Sequence, residues 1–186
     1  EFYDFVANSL ADSMVCGWFR GRFEWGPRAL GSRSIIADPR KPEMKEKLNE
    51  KIKFREAFRP FAPSVLEERA NEFFEFPEAE RHFPARFMLY VCPVREEKRD
   101  VLPSITHEDG SGRLQTVYKK TNPGYHRIIE RFGDAHIVGP QRNHGVEGIA
   151  IGRVITGSNH REAGPVKVLR HLIDGIRDHL DARVSR

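Results

Sequence analysis

The sequence lacks the features that define several common protein classes. Neither of its two cysteines, Cys16 and Cys92, stands in a C-x-x-C pattern or beside a histidine, which predicts two buried, reduced thiols rather than a disulfide framework or a zinc site. No apolar run is long enough to span a bilayer, and the first residues lack the layout of a signal peptide. These absences favour a cytoplasmic protein. Because there is no initial Met, we also expect the chain to be a piece of a longer protein.

The common nucleotide and metal motifs are missing as well. There is no G-x-x-x-x-G-K-[ST] loop, no H-E-x-x-H and no histidine pair at metal-ligand spacing. The "GSG" at 110–112 is too short for a dinucleotide fingerprint, and "HEDG" at 107–110 is better explained as a polar turn than as a cation site. We therefore predict no metal site in this chain.

Composition indicates an ordinary globular domain. The chain has 186 residues, of which 39% are hydrophobic and 31% charged, with a net charge of +4. This length suits a single domain over residues 1–186. A mild positive charge fits an anionic small ligand as well as a nucleic acid and does not separate the two.

Helical and strand patterns alternate along the chain. Apolar spacing predicts helices over residues 2–12, 41–56, 67–76, 122–133 and 165–184. The third of these follows an apparent capping box formed by Ser64 and Glu67. Short apolar runs rich in strand formers predict strands over 14–20, 33–38, 87–94 and 147–156, with another after the turn at 107–112. This alternation predicts an α/β fold, a twisted open sheet with flanking helices.

Three segments place arginines among glycine, proline or aromatic residues. They read "EWGPRALGSR", "KIKFREAFRPFAP" and "DGSGRLQTV". Loops that fix guanidinium groups with prolines preorganise donors for a phosphate or carboxylate. Any single arginine is more simply explained by an ion pair with one of the 27 acids. Three such segments in one chain favour anion binding.

These segments carry a family resemblance. The stretch from "GWFRGRFEWGPRALGSRSIIADPR" through "FRPFAPSVLEE", followed by "THEDGSGRLQTVYKKTNPGYHRIIERFG", resembles the C-terminal domain of the NodU/CmcH carbamoyltransferases, a family that includes tobramycin O-carbamoyltransferase. The similar part runs from about residue 14 to 133. The resemblance implies a YrdC-like α/β fold. It also implies a preceding Kae1-like domain, absent from this sequence, that holds the acceptor site and an iron or other metal.

The resemblance also implies a reaction and its residues. The YrdC-like domain would bind ATP, Mg²⁺ and carbamoyl phosphate and form carbamoyl adenylate, which the Kae1-like domain would use to carbamoylate a hydroxyl of a natural product or nodulation factor. Lys53 and Arg59 would contact phosphates as catalytic residues, and Arg28 and Arg113 would hold the carbamoyl phosphate or adenylate anion. Arg55 and Arg33 are second choices for binding, and ion pairs, for instance with Glu56 or Glu50, explain both adequately. Trp25 or Phe58 could flank the adenine, although core packing explains each more simply. Those are the site residues that we predict from the sequence.

The family's last nucleotide-binding motif has two alignments here. One places it on "QRNHGVEGIAI", and the other places it on "TGSNHREAGPV", where Ser158 and Asn159 would complete the nucleotide site. Two other functions stay open. The chain could be a basic-groove nucleic-acid-binding module, which should lose affinity steeply with salt, or a degenerate domain that supports the Kae1-like domain and binds no ATP. The sequence favours the enzyme domain, with no membrane or nucleic-acid partner, and leaves a homodimer open.

Overall fold

The computed structural model describes residues 1–22, 24–54, 56, 58–134 and 148–153, without side-chain detail at 51, 53, 134 and 148–153. Its centre is a five-stranded mixed sheet in the order β1-β2-β7-β3-β6. The strands are β1 (Cys16–Phe19), β2 (Arg33–Ala37), β3 (Ala62–Leu66), β6 (Gln115–Val117) and β7 (Gly148–Arg153). All neighbours are antiparallel except β3 and β6. A second ladder pairs β4 (Cys92–Pro93) with β5 (Ser111–Gly112).

The described residues form five α-helices. They are α1 (Phe2–Ala11), α2 (Pro42–Leu48), α3 (Ala70–Phe73), α4 (Glu96–Arg99) and α5 (Pro123–Asp134). A π-helical turn (Asn49–Lys53) extends α2, and 3₁₀ turns occupy Glu67–Arg69, Ala79–Arg81 and Phe83–Phe87. Helices α1 and α5 pack on each other, and α5 also contacts β3. The α/β class expected from the sequence is confirmed, whereas the YrdC-like relationship stays a prediction.

The longer predicted elements form close to their expected bounds. Helices α1 and α5 and strands β1, β2 and β7 lie within one to three residues of the ranges predicted from apolar spacing. The helix predicted over 41–56 ends its α-helical part at Leu48 and its π-helical turn at Lys53, before the two prolines of "FRPFAP". The helix predicted over 165–184 lies outside the described residues.

Two local predictions are wrong. Ser64 is not a helix cap: it lies buried in β3, and its hydroxyl donates to Gln115, so the capping-box pattern is accidental. The predicted strand over 87–94 is reduced to Cys92–Pro93, because Leu89 and Val91 are exposed and the chain before them forms a 3₁₀ turn. An apolar run alone does not show which of its residues the fold will bury.

The principal core lies on one face of the sheet. Residues of the sheet and of α2 pack there with aromatic and aliphatic side chains from the middle of the chain, including Ile35, Leu48, Phe61, Val65 and Phe73. Cys16 and Cys92 are buried free thiols, as expected, and burial raises the pKa of Cys16 to about 11. Within the described residues, no helix combines the length and the apolarity that a bilayer span requires.

Candidate anion-binding site

The loop between β1 and β2 carries Arg28, and one acid fixes its end. Glu24 has a largely buried side chain, and its Oε1 accepts hydrogen bonds from the backbone amides of Leu30, at 2.8 Å, and Ser32, at 2.7 Å. Its Oε2 lies 3.6 Å from Nε of Arg33. A carboxylate that accepts hydrogen bonds from two backbone amides satisfies donors that would otherwise be paired in a helix or a sheet. The only acid among the arginines of this segment therefore serves as an internal brace.

Gly31 is a second fixed point of the same loop. Its φ of +98° lies in the left-handed region, and a Cβ there would come within 2.3 Å of the Tyr125 ring on α5. Its carbonyl accepts Nε1 of Trp18 at 2.9 Å, and its amide donates to Oγ of Ser34 at 3.0 Å. Only glycine satisfies this combination of backbone conformation and close approach. The loop end is thus held against both the sheet and α5.

A buried glutamine ties this loop to β6. Nε2 of Gln115 donates to the carbonyl of Leu30 at 2.9 Å, and its Oε1 accepts the hydroxyl of Ser64 at 3.0 Å. Both Gln115 and Ser64 are almost fully buried. Burial raises the pKa of the adjacent Tyr125, with Ser64 acting in the opposite direction and Glu24 in the same one, so this phenol stays protonated. The frame beneath Arg28 is therefore polar, buried and internally hydrogen-bonded.

The loop of Arg28 and the segment of Arg113 are joined by the hydrogen bond between Gln115 and Leu30, and the charge of Arg28 acts on Arg113. Arg113 lies two residues before Gln115, between β5 and β6. Desolvation lowers the pKa of its guanidinium, and the positive charge of Arg28 lowers it further. Among the described residues, neither arginine forms an ion pair or a side-chain hydrogen bond. Guanidinium groups that lack a carboxylate partner are able to bind an anion through charge-assisted hydrogen bonds.

The other predicted site residues have different surroundings. Arg59 is half-exposed and pairs with Glu56 at 2.9 Å, while its carbonyl accepts Nδ2 of Asn49 at 2.8 Å. Lys53 ends the π-helical turn, but its side chain lies outside the described part of the structure. Arg55, Ser158 and Asn159 also lie outside it. Of the predicted residues, Arg28 and Arg113 are the two that interact within the described part of the structure, since the charge of Arg28 lowers the pKa of Arg113.

Three secondary predictions can be compared with the structure. Arg33 contacts Glu24, in agreement with the ion-pair explanation given for it above. Core packing is wrong for Trp25 and Phe58, because Trp25 is fully exposed and Phe58 is 68% exposed. Trp25 stands on the same loop as Arg28, three residues away. An exposed indole at this place is available for stacking on a planar ligand.

Sequence reasoning missed the residues of the frame. Glu24, Ser64 and Gln115 were not predicted as part of the site. The available signal for Glu24 was its position as the one acid among four arginines over residues 17–33. No comparable signal marks Gln115, because its partner Leu30 is 85 positions away. Among the described residues, no three His, Cys, Asp or Glu side chains are grouped to hold a metal.

The fold and this site define an α/β domain in which two arginines from different loops, Arg28 and Arg113, form no ion pair within the described part of the structure. The chain belongs to the Carbamoyltransferase C-terminus family, which it matches over residues 7–141. It is 56% identical over 133 residues to nodulation protein NolO of Bradyrhizobium diazoefficiens and 54% identical over 127 residues to nodulation protein NolNO of Sinorhizobium fredii. It is 39% identical over 137 residues to the 3'-hydroxymethylcephem-O-carbamoyltransferase of Amycolatopsis lactamdurans.

The matches cover most of this chain and a small part of each relative. They span 69%, 68% and 74% of this chain, but 24%, 18% and 25% of NolO, NolNO and the cephem carbamoyltransferase. The chain therefore corresponds to about a fifth to a quarter of the length of these relatives. Both Arg28 and Arg113 lie inside the family match.

Proposed function

We propose that this chain is the carbamoyl-adenylate-forming part of an O-carbamoyltransferase. Its substrates would be ATP, with Mg²⁺, and carbamoyl phosphate. The observation that supports this most is the pair of Arg28 and Arg113. Their loops are joined by the hydrogen bond between Leu30 and Gln115, the charge of Arg28 lowers the pKa of Arg113, and neither arginine has a carboxylate partner among the described residues. Family membership supplies the reaction class, since one relative is named as an O-carbamoyltransferase.

The proposed formation of carbamoyl adenylate requires several positive charges close to the reacting phosphates. Carbamoyl phosphate and water would give carbamate and inorganic phosphate. A carbamate oxygen would then form a bond to the α-phosphorus of ATP, and the bond between that phosphorus and the bridging oxygen would break to release pyrophosphate. Two anions approach each other in this step, so fixed guanidinium groups lower its barrier by neutralising the charge of the transition state.

Each residue has a distinct part in this proposal. Arg28 and Arg113 hold the carbamoyl phosphate, and later the adenylate, by bidentate contacts that a guanidinium makes to planar or tetrahedral oxyanions. Lys53 and Arg59 contact the phosphates of ATP, for which Arg59 leaves its exposed pairing with Glu56. Trp25 offers its exposed ring to the adenine. Mg²⁺ arrives with the nucleotide phosphates, as it does in many nucleotide sites.

The proposal is tested by titration calorimetry of the 186-residue chain with ATP and Mg²⁺, with carbamoyl phosphate, and with both. Saturable binding of carbamoyl phosphate that is lost in Arg28→Gln and Arg113→Gln supports it. Binding of single-stranded nucleic acid with a steep salt dependence, and no saturable binding of either small ligand, would replace it with the nucleic-acid alternative. If none of these ligands binds, the proposal is replaced by the other alternative, a degenerate domain that only supports the Kae1-like domain.

A second experiment concerns the phosphate contacts. Lys53→Ala and Arg59→Ala in the full-length protein should abolish exchange between ATP and labelled pyrophosphate, with little change in thermal stability. Wild-type exchange in both variants would remove these two residues from the site.

A further inference from the structure

The geometry points to Gln115 as the positioning residue that sets the distance between Arg28 and Arg113. This inference rests on the proposed function, because it assigns a role within the same anion site. Gln115 itself lies below the site and is 4% exposed, so it acts through other groups. We infer that its amide fixes the Arg28 loop relative to the strand that follows Arg113.

The argument begins with the two bonds of the side chain. Through Nε2, Gln115 donates to the Leu30 carbonyl at 2.9 Å, two residues along the loop from Arg28. Gln115 itself stands two residues along the chain from Arg113, as the first residue of β6. The path from one guanidinium-bearing residue to the other therefore contains a single side chain and its one hydrogen bond.

The second bond keeps the amide in one orientation. Oε1 of Gln115 accepts the hydroxyl of Ser64, which is fully buried in the neighbouring parallel strand β3, at 3.0 Å. With its oxygen occupied in this way, the amide must direct its nitrogen to the loop. A buried side chain whose amide nitrogen and oxygen are both hydrogen-bonded has little conformational freedom. The Leu30 carbonyl that it binds is therefore restricted in its movement as well.

The loop itself is rigid enough to transmit that restriction. Glu24 accepts the amides of Leu30 and Ser32, and Gly31 donates to Ser34, so the residues on either side of the Leu30 carbonyl are already hydrogen-bonded. A change at Gln115 should then shift or loosen the loop as a unit. Two guanidinium groups that bind one small anion depend strongly on their separation, because displacements of about 1 Å are costly in a bidentate site.

The test compares Gln115→Met with a matched control. Methionine keeps the length and volume of the side chain but removes both the donor and the acceptor. Ser104→Ala is the control, because the buried Ser104 hydroxyl also donates to a distant loop carbonyl, that of Lys41, at 2.6 Å. Both variants leave one part-buried backbone carbonyl without its side-chain donor. Gln115→Met also leaves the Ser64 hydroxyl without its acceptor, so it should cost more stability than Ser104→Ala. They differ in which loop is released.

The first readout is the Kd for carbamoyl phosphate, measured by calorimetry in two backgrounds. We expect Gln115→Met to raise Kd about tenfold and Ser104→Ala to leave it within about twofold. In an Arg28→Lys background, where the charge stays but the two-pronged geometry is lost, the effect of Gln115→Met should fall below about threefold. An unchanged Kd in Gln115→Met, or an equal loss in both backgrounds, would overturn the positioning role.

The second readout does not need a ligand. Hydrogen exchange of the amides of residues 30–32 should be faster in Gln115→Met than in the wild type and in Ser104→Ala. If the wild-type chain binds no carbamoyl phosphate, the proposed function fails, and this exchange measurement alone decides the positioning role: faster exchange supports it, and unchanged exchange overturns it. The two failures are therefore distinguishable.

Discussion

Two arginine environments in this molecule differ in almost every respect except the residue type. Arg86 donates from Nε and Nη2 to the two carboxylate oxygens of Glu67, at 2.6 and 2.8 Å, and lies 4.2 Å from the centre of the Tyr118 ring. That hydrogen-bonded pairing raises the pKa of Arg86. Arg113 has Arg28 as its charged neighbour, and desolvation together with that charge lowers its pKa.

The contrast separates a structural from a functional use of arginine. At Arg86 the positive charge is neutralised inside the fold, so its removal should affect stability. At Arg113 the described structure supplies no negative charge, so its removal should affect ligand binding. The carboxylate of the Arg28 loop, Glu24, is directed at backbone amides and at Arg33 instead.

The largest effect is expected at the buried pair. Arg86→Met should lower the free energy of unfolding by about 3–5 kcal/mol, because it leaves the Glu67 carboxylate, 4% exposed, without its partner. Denaturant unfolding at equilibrium provides the measurement. Arg81→Met is the matched control, since Arg81 pairs with Glu78 at 2.9 Å on the surface, and should cost at most about 1 kcal/mol. Equal losses in the two variants would contradict the distinction.

A second large effect concerns the frame rather than the charges. Gly31→Ala should destabilise the fold by about 2–4 kcal/mol, since it combines a positive φ with a Cβ that meets the Tyr125 ring. Thermal and denaturant unfolding would measure this loss. Gly21→Ala is the control, because Gly21 also has a positive φ but has open space at its Cβ. If both substitutions lower the free energy of unfolding by the same amount, the close approach of Gly31 to Tyr125 does not contribute to stability.

Arg59 stands between the two arginine environments, because it has an ion pair like Arg86 but an exposed one. Its pair with Glu56 is 54% exposed on both sides, so Arg59→Gln should change the free energy of unfolding by less than about 1 kcal/mol. The accompanying loss of pyrophosphate exchange would then be due to the site and not to unfolding. A destabilisation like that of Arg86→Met would place Arg59 among the structural arginines.

The smallest effect is expected next to Gln115. The Thr116 hydroxyl is buried and has no hydrogen-bond partner among the described residues. Thr116→Val should therefore leave the free energy of unfolding unchanged or raise it by up to about 1 kcal/mol, and carbamoyl phosphate binding should not change. A clear destabilisation would reveal a partner for this hydroxyl.

Much of the fold follows from local sequence patterns. The apolar spacing of Leu48 and Met44 in α2 predicted a helix, and the strand formers around Ile35 and Ile36 predicted β2. Local patterns gave wrong predictions where contacts between distant residues determine the structure. Ser64 is an example, because its hydroxyl bonds to Gln115 in the neighbouring strand and does not cap a helix.

The site was predictable in part for a similar reason. Arg28 and Arg113 stood out because Gly- and Pro-rich loops carried them, and the resemblance linked both to an anion. The connection between their loops consists of long-range contacts such as that between Gln115 and Leu30. Such long-range contacts leave no periodic or local signal in a single sequence. The exposure of Trp25 could not be predicted either, because it depends on the direction that the loop takes after the sheet.

The most direct test of the account is Arg113→Gln, examined for stability and for carbamoyl phosphate binding in the same sample. We expect the free energy of unfolding to stay within about 0.5 kcal/mol of the wild type or to rise, because a partly desolvated charge beside Arg28 is removed. The Kd for carbamoyl phosphate should increase about 10- to 100-fold, the usual effect of losing hydrogen bonds to a charged group. A variant that unfolds more easily but binds carbamoyl phosphate as the wild type does would contradict the central claim.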